Sequence, residues 1–374
     1  MKMKMNRRTF LASSAAAAAS ASVLAGSPLK EALAGKTDNA VEAKYWKPIE
    51  DKAVQCQLCN RGCEVPDGSR GYCQVRENRG GKYYTLVHSR PCALHNDPVE
   101  KKPFFHYRPG TLTMSIATAG CCFSCKFCQN WEISQAAPEE VDSIQLSPQS
   151  LIDKAFEEGS KSVSFTYNEP TVFYEYMFDC AKLASKNGLG AAVISNGYIR
   201  KEPIKELLKY VDAYRVDLKS FREEFYSSVS NAHLKPVLKT LQTIKKSGVW
   251  LEIINLIVPT MNDSKEEITA KCRWVVQELG PDVPMHFTRF HPIYKMTNLP
   301  PTPVATLERC YDIAKECGVN FAYVGNVLGH KGENTYCPTS GKVLIERMGF
   351  EVIKNHIKDG KCPCCGKTVP GKWS

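Results

Sequence analysis

A chain of 374 residues with 43% hydrophobic and 24% charged residues has enough apolar material for a large buried core, which excludes an intrinsically disordered chain. Its formal net charge of +10 comes without any cluster of basic residues interleaved with aromatics, which excludes a nucleic-acid-binding surface. The 17 cysteines fall at short, grouped spacings, a pattern that favours metal or cluster ligation over scattered disulfides.

The first element, residues 1–34, reads as a targeting segment. Asn6-Arg7-Arg8-Thr9-Phe10-Leu11 is a twin-arginine pattern, a weakly apolar Ala/Ser run follows to about Gly26, and Ala32-Leu33-Ala34 offers a small-residue cleavage site. The run is short and broken by serines, so neither a spanning helix nor an integral membrane protein is expected. The expected location is periplasmic by twin-arginine export, or cytoplasmic if the signal is not functional. That route carries folded proteins, so a bound cluster can be inserted before crossing.

Residues 35–110 form a Cys-rich region. Cys56, Cys59, Cys63 and Cys73 alternate with the turn residues Gly62, Pro66, Asp67, Gly68 and Gly71, which suits an all-thiolate tetrahedral zinc site or a second iron–sulfur cluster. Spacing does not separate the two, and disulfides are a third reading in an exported chain. The run Asp97-Pro98-Val99-Glu100-Lys101-Lys102-Pro103, with His106 and Gly110, reads as a linker packed against the barrel entrance.

From Thr111 to residue 325, short apolar runs alternate with amphipathic segments, the pattern of βα units. Strands are expected at 112–118, 162–166, 191–195, 213–218, 251–258 and 285–290. Helices are expected at 149–158, 172–186, 204–210, 236–246 and 265–278. A last helix–strand pair, 306–316 and 320–323, can close the edge. Six units fall short of eight, so the expected fold is α/β, a partial (β/α)6 TIM-type barrel with chemistry at the C-terminal strand ends.

The loop after the first expected strand carries Cys121, Cys125 and Cys128 at C-x3-C-x2-C spacing, with Gly120 before it and Phe127 just before the third thiol. Three thiolates hold three corners of a cubane and leave the fourth iron open. Cys122, Cys125 and Cys128 also fit a ferredoxin run, but that run requires Cys-Pro at 132–133, where Glu132 and Ile133 stand. Residues 121–128 resemble the signature of the radical SAM superfamily. The resemblance implies a [4Fe-4S] cluster, S-adenosylmethionine chelated at its open iron, a low-potential flavodoxin- or ferredoxin-type electron donor, and a 5′-deoxyadenosyl radical that abstracts hydrogen.

Tyr167-Asn168-Glu169-Pro170 resembles that family's Gly-Gly-Glu segment, which makes Glu169 and Asn168 candidates for the ammonium of S-adenosylmethionine. Ser195 and Asn196 after the third strand, and Asp217 and Lys219 after the fourth, offer polar groups for its ribose and carboxylate, and Phe127 is a cofactor contact by the same resemblance. Arg289-Phe290-His291-Pro292 is similar to a segment of the glycyl-radical activating enzymes. It makes His291 the remaining catalytic candidate beside the three cysteines.

Residues 326–374 look like a zinc ribbon. Cys337, Cys362 and Cys365 supply three ligands, and Ser340 stands where a fourth Cys belongs. Either Cys364 or His356 completes the site, or the metal has been lost. From Cys56 to Trp373 the chain resembles the radical SAM enzyme of the AmmeMemoRadiSam system, related to pyruvate formate-lyase activating enzymes. The implied function is hydrogen abstraction from a protein or peptide. The alternatives are radical modification of a small molecule, or an exported iron–sulfur electron-transfer or metal-binding protein.

Overall fold

The described chain opens with short strands around the first cysteines: β1 (Val41–Glu42), β2 (Trp46–Pro48), β3 (Val54–Cys56), β4 (Glu64–Val65), β5 (Arg76–Arg79) and β6 (Lys82–Thr85). They form two antiparallel sheets, β1-β6-β5 and β2-β3-β4. The main sheet contains β7 (Ala93–Pro98), β8 (Leu112–Ala117), β9 (Ser162–Phe165), β10 (Gly190–Ser195), β11 (Ala213–Asp217), β12 (Trp250–Ile257), β13 (Met285–Arg289) and β14 (Ala322–Gly325). In this computed structural model, which describes residues 40–373, β8 to β14 run parallel, each beside its predecessor in sequence. Strands β9 and β10 are buried along their whole length, as strands covered on both faces must be. The expected export signal falls outside the described residues. Among those residues no helix is long and apolar enough to cross a membrane.

The barrel therefore has seven parallel strands, the closing strand included, where six units were expected. An eighth strand, β7, pairs antiparallel with β8 in register from Ala93 opposite Ala117 to Pro98 opposite Leu112. The sheet thus begins 18 residues before the expected boundary at Thr111. The supposed linker is part of the barrel: Pro98 ends β7, and a 3-10 turn over Val99–Lys101 follows. The end strands β7 and β14 are not hydrogen-bonded to each other, so the ring stays open.

Among the described residues the α-helices of four residues or more are α1 (Trp131–Ser134), α2 (Pro148–Glu157), α3 (Tyr174–Lys186), α4 (Lys201–Leu207), α5 (Leu234–Ser247), α6 (Lys265–Leu279) and α7 (Val304–Glu316). Local chemistry sets their ends. The Ser264 hydroxyl caps α6 by accepting from Glu267 N–H, and Gly248, at φ 82°, closes α5 through its N–H to the Lys245 carbonyl.

A ribbon of β15 (Thr335–Tyr336), β16 (Val343–Met348) and β17 (Glu351–Asn355) fills the opening in the ring. On one side the Tyr323 hydroxyl of β14 bonds the Thr335 hydroxyl at 3.0 Å. On the other, the Arg347 guanidinium donates to the Phe105 carbonyl at 2.8 Å, and the Arg108 and Lys372 backbones bond at 2.7 Å. Beneath the barrel the buried Glu252 carboxylate accepts from the Phe105 and His106 backbone N–H groups, Trp250 Nε1 and His286 Nε2, the last at 2.7 Å. Burial opposes its charge, but the His286 hydrogen bond prevails and holds its pKa down at about 2. Burial lowers His106 to about 4, against the pull of Glu252.

A candidate active site at the strand ends

A cavity of about 540 Å³ opens at the C-terminal ends of the strands, within the usual range of ligand pockets. Cys121, Cys125 and Cys128 all line it, and Cys122 does not. The Cys122 thiol turns the other way, into a small pocket shared with Cys56, Cys59, Cys63 and Cys73. The ferredoxin-like alternative is thus excluded by direction as well as by sequence.

The cysteine loop is held from three sides. Asn168 Nδ2 donates to the carbonyls of Thr118 and Gly120 at 2.6 and 2.7 Å. The N–H groups of Ser124 and Lys126 donate to the carbonyls of Ser230 and Val229. From the N-terminal region, Arg61 donates to the Cys122 carbonyl and lies over the Tyr72 ring, whose hydroxyl bonds the Ser124 hydroxyl at 2.8 Å. Gly120 is required here. Its φ is 88°, and an added Cβ would meet the Cys73 carbonyl oxygen at 2.5 Å and Val75 Cγ1 at 2.6 Å.

The other strand ends bring the expected polar groups to the same cavity: Asn168, Glu169, Ser195, Asn196, Asp217 and Lys219, with Phe127 beside them. The buried Glu169 ties two strand ends together. Its Oε1 accepts from Thr171 N–H, the Thr171 hydroxyl and the Ser195 hydroxyl, and its Oε2 accepts from Asn196 N–H at 2.7 Å. Only Oε2 keeps a free lone pair for a ligand. Burial raises the pKa of Glu169 against these hydrogen bonds.

Asp217 lies between the Arg215 guanidinium at 2.6 Å and the Lys219 ammonium at 3.0 Å. Burial disfavours its charge, yet the two cations hold its pKa low. For Lys219 burial likewise works against the charge, but Asp217 outweighs it and holds the ammonium above the ordinary lysine range. That ammonium sits 5.5 Å from the centre of the Phe127 ring, a cation–π contact.

Three buried polar atoms on residues lining this cavity have no hydrogen-bond partner: Asn168 Oδ1, Arg215 Nε and Glu100 Oε2. An unpaired buried polar atom costs about 1–3 kcal/mol, so three around one cavity mark a place where a polar ligand completes the bonding. Among the described residues, only Cys337, Cys362 and Cys365 bring three ligand atoms within 4.8 Å of one another. The loop cysteines stand wider than one ion's coordination shell, as a polynuclear cluster needs. The four N-terminal cysteines line a second, small pocket of their own.

His291 lies on an exposed turn after β13 and does not line the cavity, contrary to its expected catalytic place. The histidine of β13 that does line it is His286, with Thr288 two residues on. Alternation along the strand puts these two on one face, and position 291 is already past the strand. Sequence reasoning also missed the turn after β7, where Glu100, Lys101 and Lys102 line the cavity. Lys102 is buried, and burial lowers its pKa to about 8 against the bonded Asp97 carboxylate. The Tyr167 hydroxyl donates to that same carboxylate at 2.5 Å.

The family model described as the radical SAM superfamily matches residues 115–272. An uncharacterized protein of Methanocaldococcus jannaschii is 43% identical over 330 residues, 88% of this chain and 98% of that protein. The pyruvate formate-lyase-activating enzyme of Clostridium pasteurianum is 28% identical over 162 residues, 43% of this chain and 67% of that enzyme. The 4-hydroxyphenylacetate decarboxylase activating enzyme of Clostridium scatologenes is 27% identical over 164 residues, 42% and 52% of the two chains.

Proposed function

The chain belongs to the radical SAM superfamily, and we propose that it abstracts a hydrogen atom from a protein or peptide substrate, as an activating-type enzyme. A reduced [4Fe-4S] cluster held by Cys121, Cys125 and Cys128, with S-adenosylmethionine bound beside it, would supply the electron for reductive C–S cleavage and the carbon radical that takes the substrate hydrogen, with methionine and 5′-deoxyadenosine as products. The observation that carries the reading is the set of three C-x3-C-x2-C thiols around one cavity that also holds the unpaired Asn168 Oδ1.

The residues fit that cofactor. Cys121, Cys125 and Cys128 would hold the cluster. Asn168 Oδ1 and the free lone pair of Glu169 Oε2 would accept from an ammonium. Asp217, kept ionised by its two cations, would accept from ribose hydroxyls, and the Lys219 and Arg215 cations would draw a carboxylate. Phe127 and the buried barrel wall keep bulk water from the reacting atoms.

Two relatives named as activating enzymes support the protein or peptide substrate. Cys56, Cys59, Cys63 and Cys73 share one small pocket, which supports a metal site in the N-terminal region, zinc or a second cluster. Twin-arginine export to the periplasm and a low-potential electron donor complete the proposal; fractionation of the native host tests the first. The central test is anaerobic: reconstituted protein, dithionite and S-adenosylmethionine should release 5′-deoxyadenosine. A fully deuterated substrate protein should pass deuterium into it. Protein with an intact cluster and no 5′-deoxyadenosine release overturns the reading.

A further inference from the structure

The ribbon contains two turns of the same construction. In the first, Cys337 N–H donates to the Lys342 carbonyl at 2.8 Å and Gly341 N–H to the Cys337 carbonyl at 2.9 Å. In the second, Cys362 N–H donates to the Lys367 carbonyl and Gly366 N–H to the Cys362 carbonyl, both at 2.9 Å. The closing glycines have φ 68° and 71°. The third residue after the leading cysteine is Ser340 in one turn and Cys365 in the other.

The two turns face each other. Cys337 Sγ stands 3.6 Å from Cys365 Sγ, and Ser340 Oγ stands 3.8 Å from Cys362 Sγ. Thiolates bound tetrahedrally at about 2.3 Å from zinc lie about 3.8 Å apart, so both separations suit one coordination shell, and the three thiols all lie within 4.8 Å of one another. The sulfur separation also exceeds the roughly 2.05 Å of a disulfide, and all three cysteines are free.

We propose that Cys337, Cys362, Cys365 and Ser340 form a mononuclear site for a borderline divalent cation, zinc by donor set, with the Ser340 hydroxyl at the fourth corner. This corrects both expected fourth ligands. Cys364 sits within the second turn but is exposed, and His356 bonds Glu346 at 3.4 Å. An oxygen donor is the weakest of the four for such an ion, so the ion is held less tightly than in a four-thiolate ribbon.

The ion has work to do. The ribbon core is small: Phe105, Phe321, Tyr323, Leu344, Ile345 and Val369 around Cys337 and Cys362. A core of that size needs a staple. The same ribbon spans the open edge of the barrel and sets Gly349 and Phe350 into the cavity wall, so the ion holds that wall in place.

The test is a metal count on the full-length, anaerobically purified and iron-reconstituted protein. One zinc per chain is expected beyond the iron. Cys362→Ser/Cys365→Ser should lose that zinc with unchanged iron. Ser340→Cys should keep it and release it to a chromogenic chelator on the order of tenfold more slowly. Cobalt put in place of the zinc should show the visible absorption of a tetrahedral thiolate site. Absence of zinc from both the native protein and Ser340→Cys, zinc retained in the double variant, or a disulfide joining Cys337 and Cys365 overturns the proposal. Ser340→Cys keeps the test decisive if the double variant does not fold. Since the readout is zinc, its failure is distinct from a failure to make 5′-deoxyadenosine.

Discussion

Replacing Glu169 by Gln separates two roles that this carboxylate combines. It accepts four hydrogen bonds, three on Oε1 and one on Oε2. The amide of Gln has one oxygen. Its cheaper placement keeps that oxygen on Thr171 and Ser195 and turns Nε2 toward Asn196 N–H, stranding one buried donor at about 1–3 kcal/mol. The three surviving bonds lose their charge assistance, roughly 1 kcal/mol each. Relief from burying a charge, visible in the raised pKa of Glu169, offsets part of that. A net loss of about 2–4 kcal/mol follows. Urea unfolding followed by circular dichroism under anaerobic conditions measures it. S-adenosylmethionine binding, measured in parallel, should weaken about tenfold, since the Nε2 that replaces Oε2 is a donor facing an ammonium. Unchanged unfolding free energy would refute the tie between strand ends. Weakened binding with unchanged stability would make Glu169 a ligand contact alone.

Three further outcomes are expected. Cys121→Ala, Cys125→Ala and Cys128→Ala should each abolish 5′-deoxyadenosine release, whereas Cys122→Ala, whose thiol lies outside the cavity, should retain it, as product assays on iron-matched samples will show. His291→Ala should leave the rate within about twofold, the range of a surface change of up to about 0.5 kcal/mol, whereas His286→Ala removes one of the four donors on the buried Glu252 carboxylate, at 2.7 Å, and should destabilise the fold by about 1.5–3 kcal/mol on urea unfolding. Acid should destabilise the chain in two windows, because both groups have folded pKa values below their unfolded ones. Stability held by neutral His106 is present above about pH 6.5 and lost as pH falls toward about 4, and that held by ionised Glu252 is lost from about 4.5 toward about 2. The first window is worth about 3 kcal/mol, and a urea midpoint that stays flat from pH 7 to 4.5 would contradict it.

The cysteine loop and the heights of Ser195, Asn196, Asp217 and Lys219 were readable because two local rules govern them. Ligand spacing within one loop survives folding unchanged, and side chains alternate along a strand up to its last residue. What was not readable depends on distant partners. Asp97, Lys101 and Lys102, with prolines on either side, read as a linker, since nothing local shows that Ala93–Pro98 pairs with Leu112–Ala117. The choice of His286 over His291 turns on where β13 ends, a boundary only its neighbours fix. Ser340 could be seen to stand in a cysteine's place, but its approach to Cys362 depends on a second turn 22 residues away.

The unpaired ends of the ring have a consequence for traffic. Everywhere else the cavity wall is a continuous ladder of backbone bonds, which must break together to part. Between β7 and β14 the wall is a seam of separate contacts, among them the Arg347–Phe105 and Tyr323–Thr335 bonds. Such a seam breathes one contact at a time, so amides along it should exchange fastest with solvent. For the proposed polypeptide substrate, the seam would offer a side entrance to the cavity that avoids threading the barrel mouth.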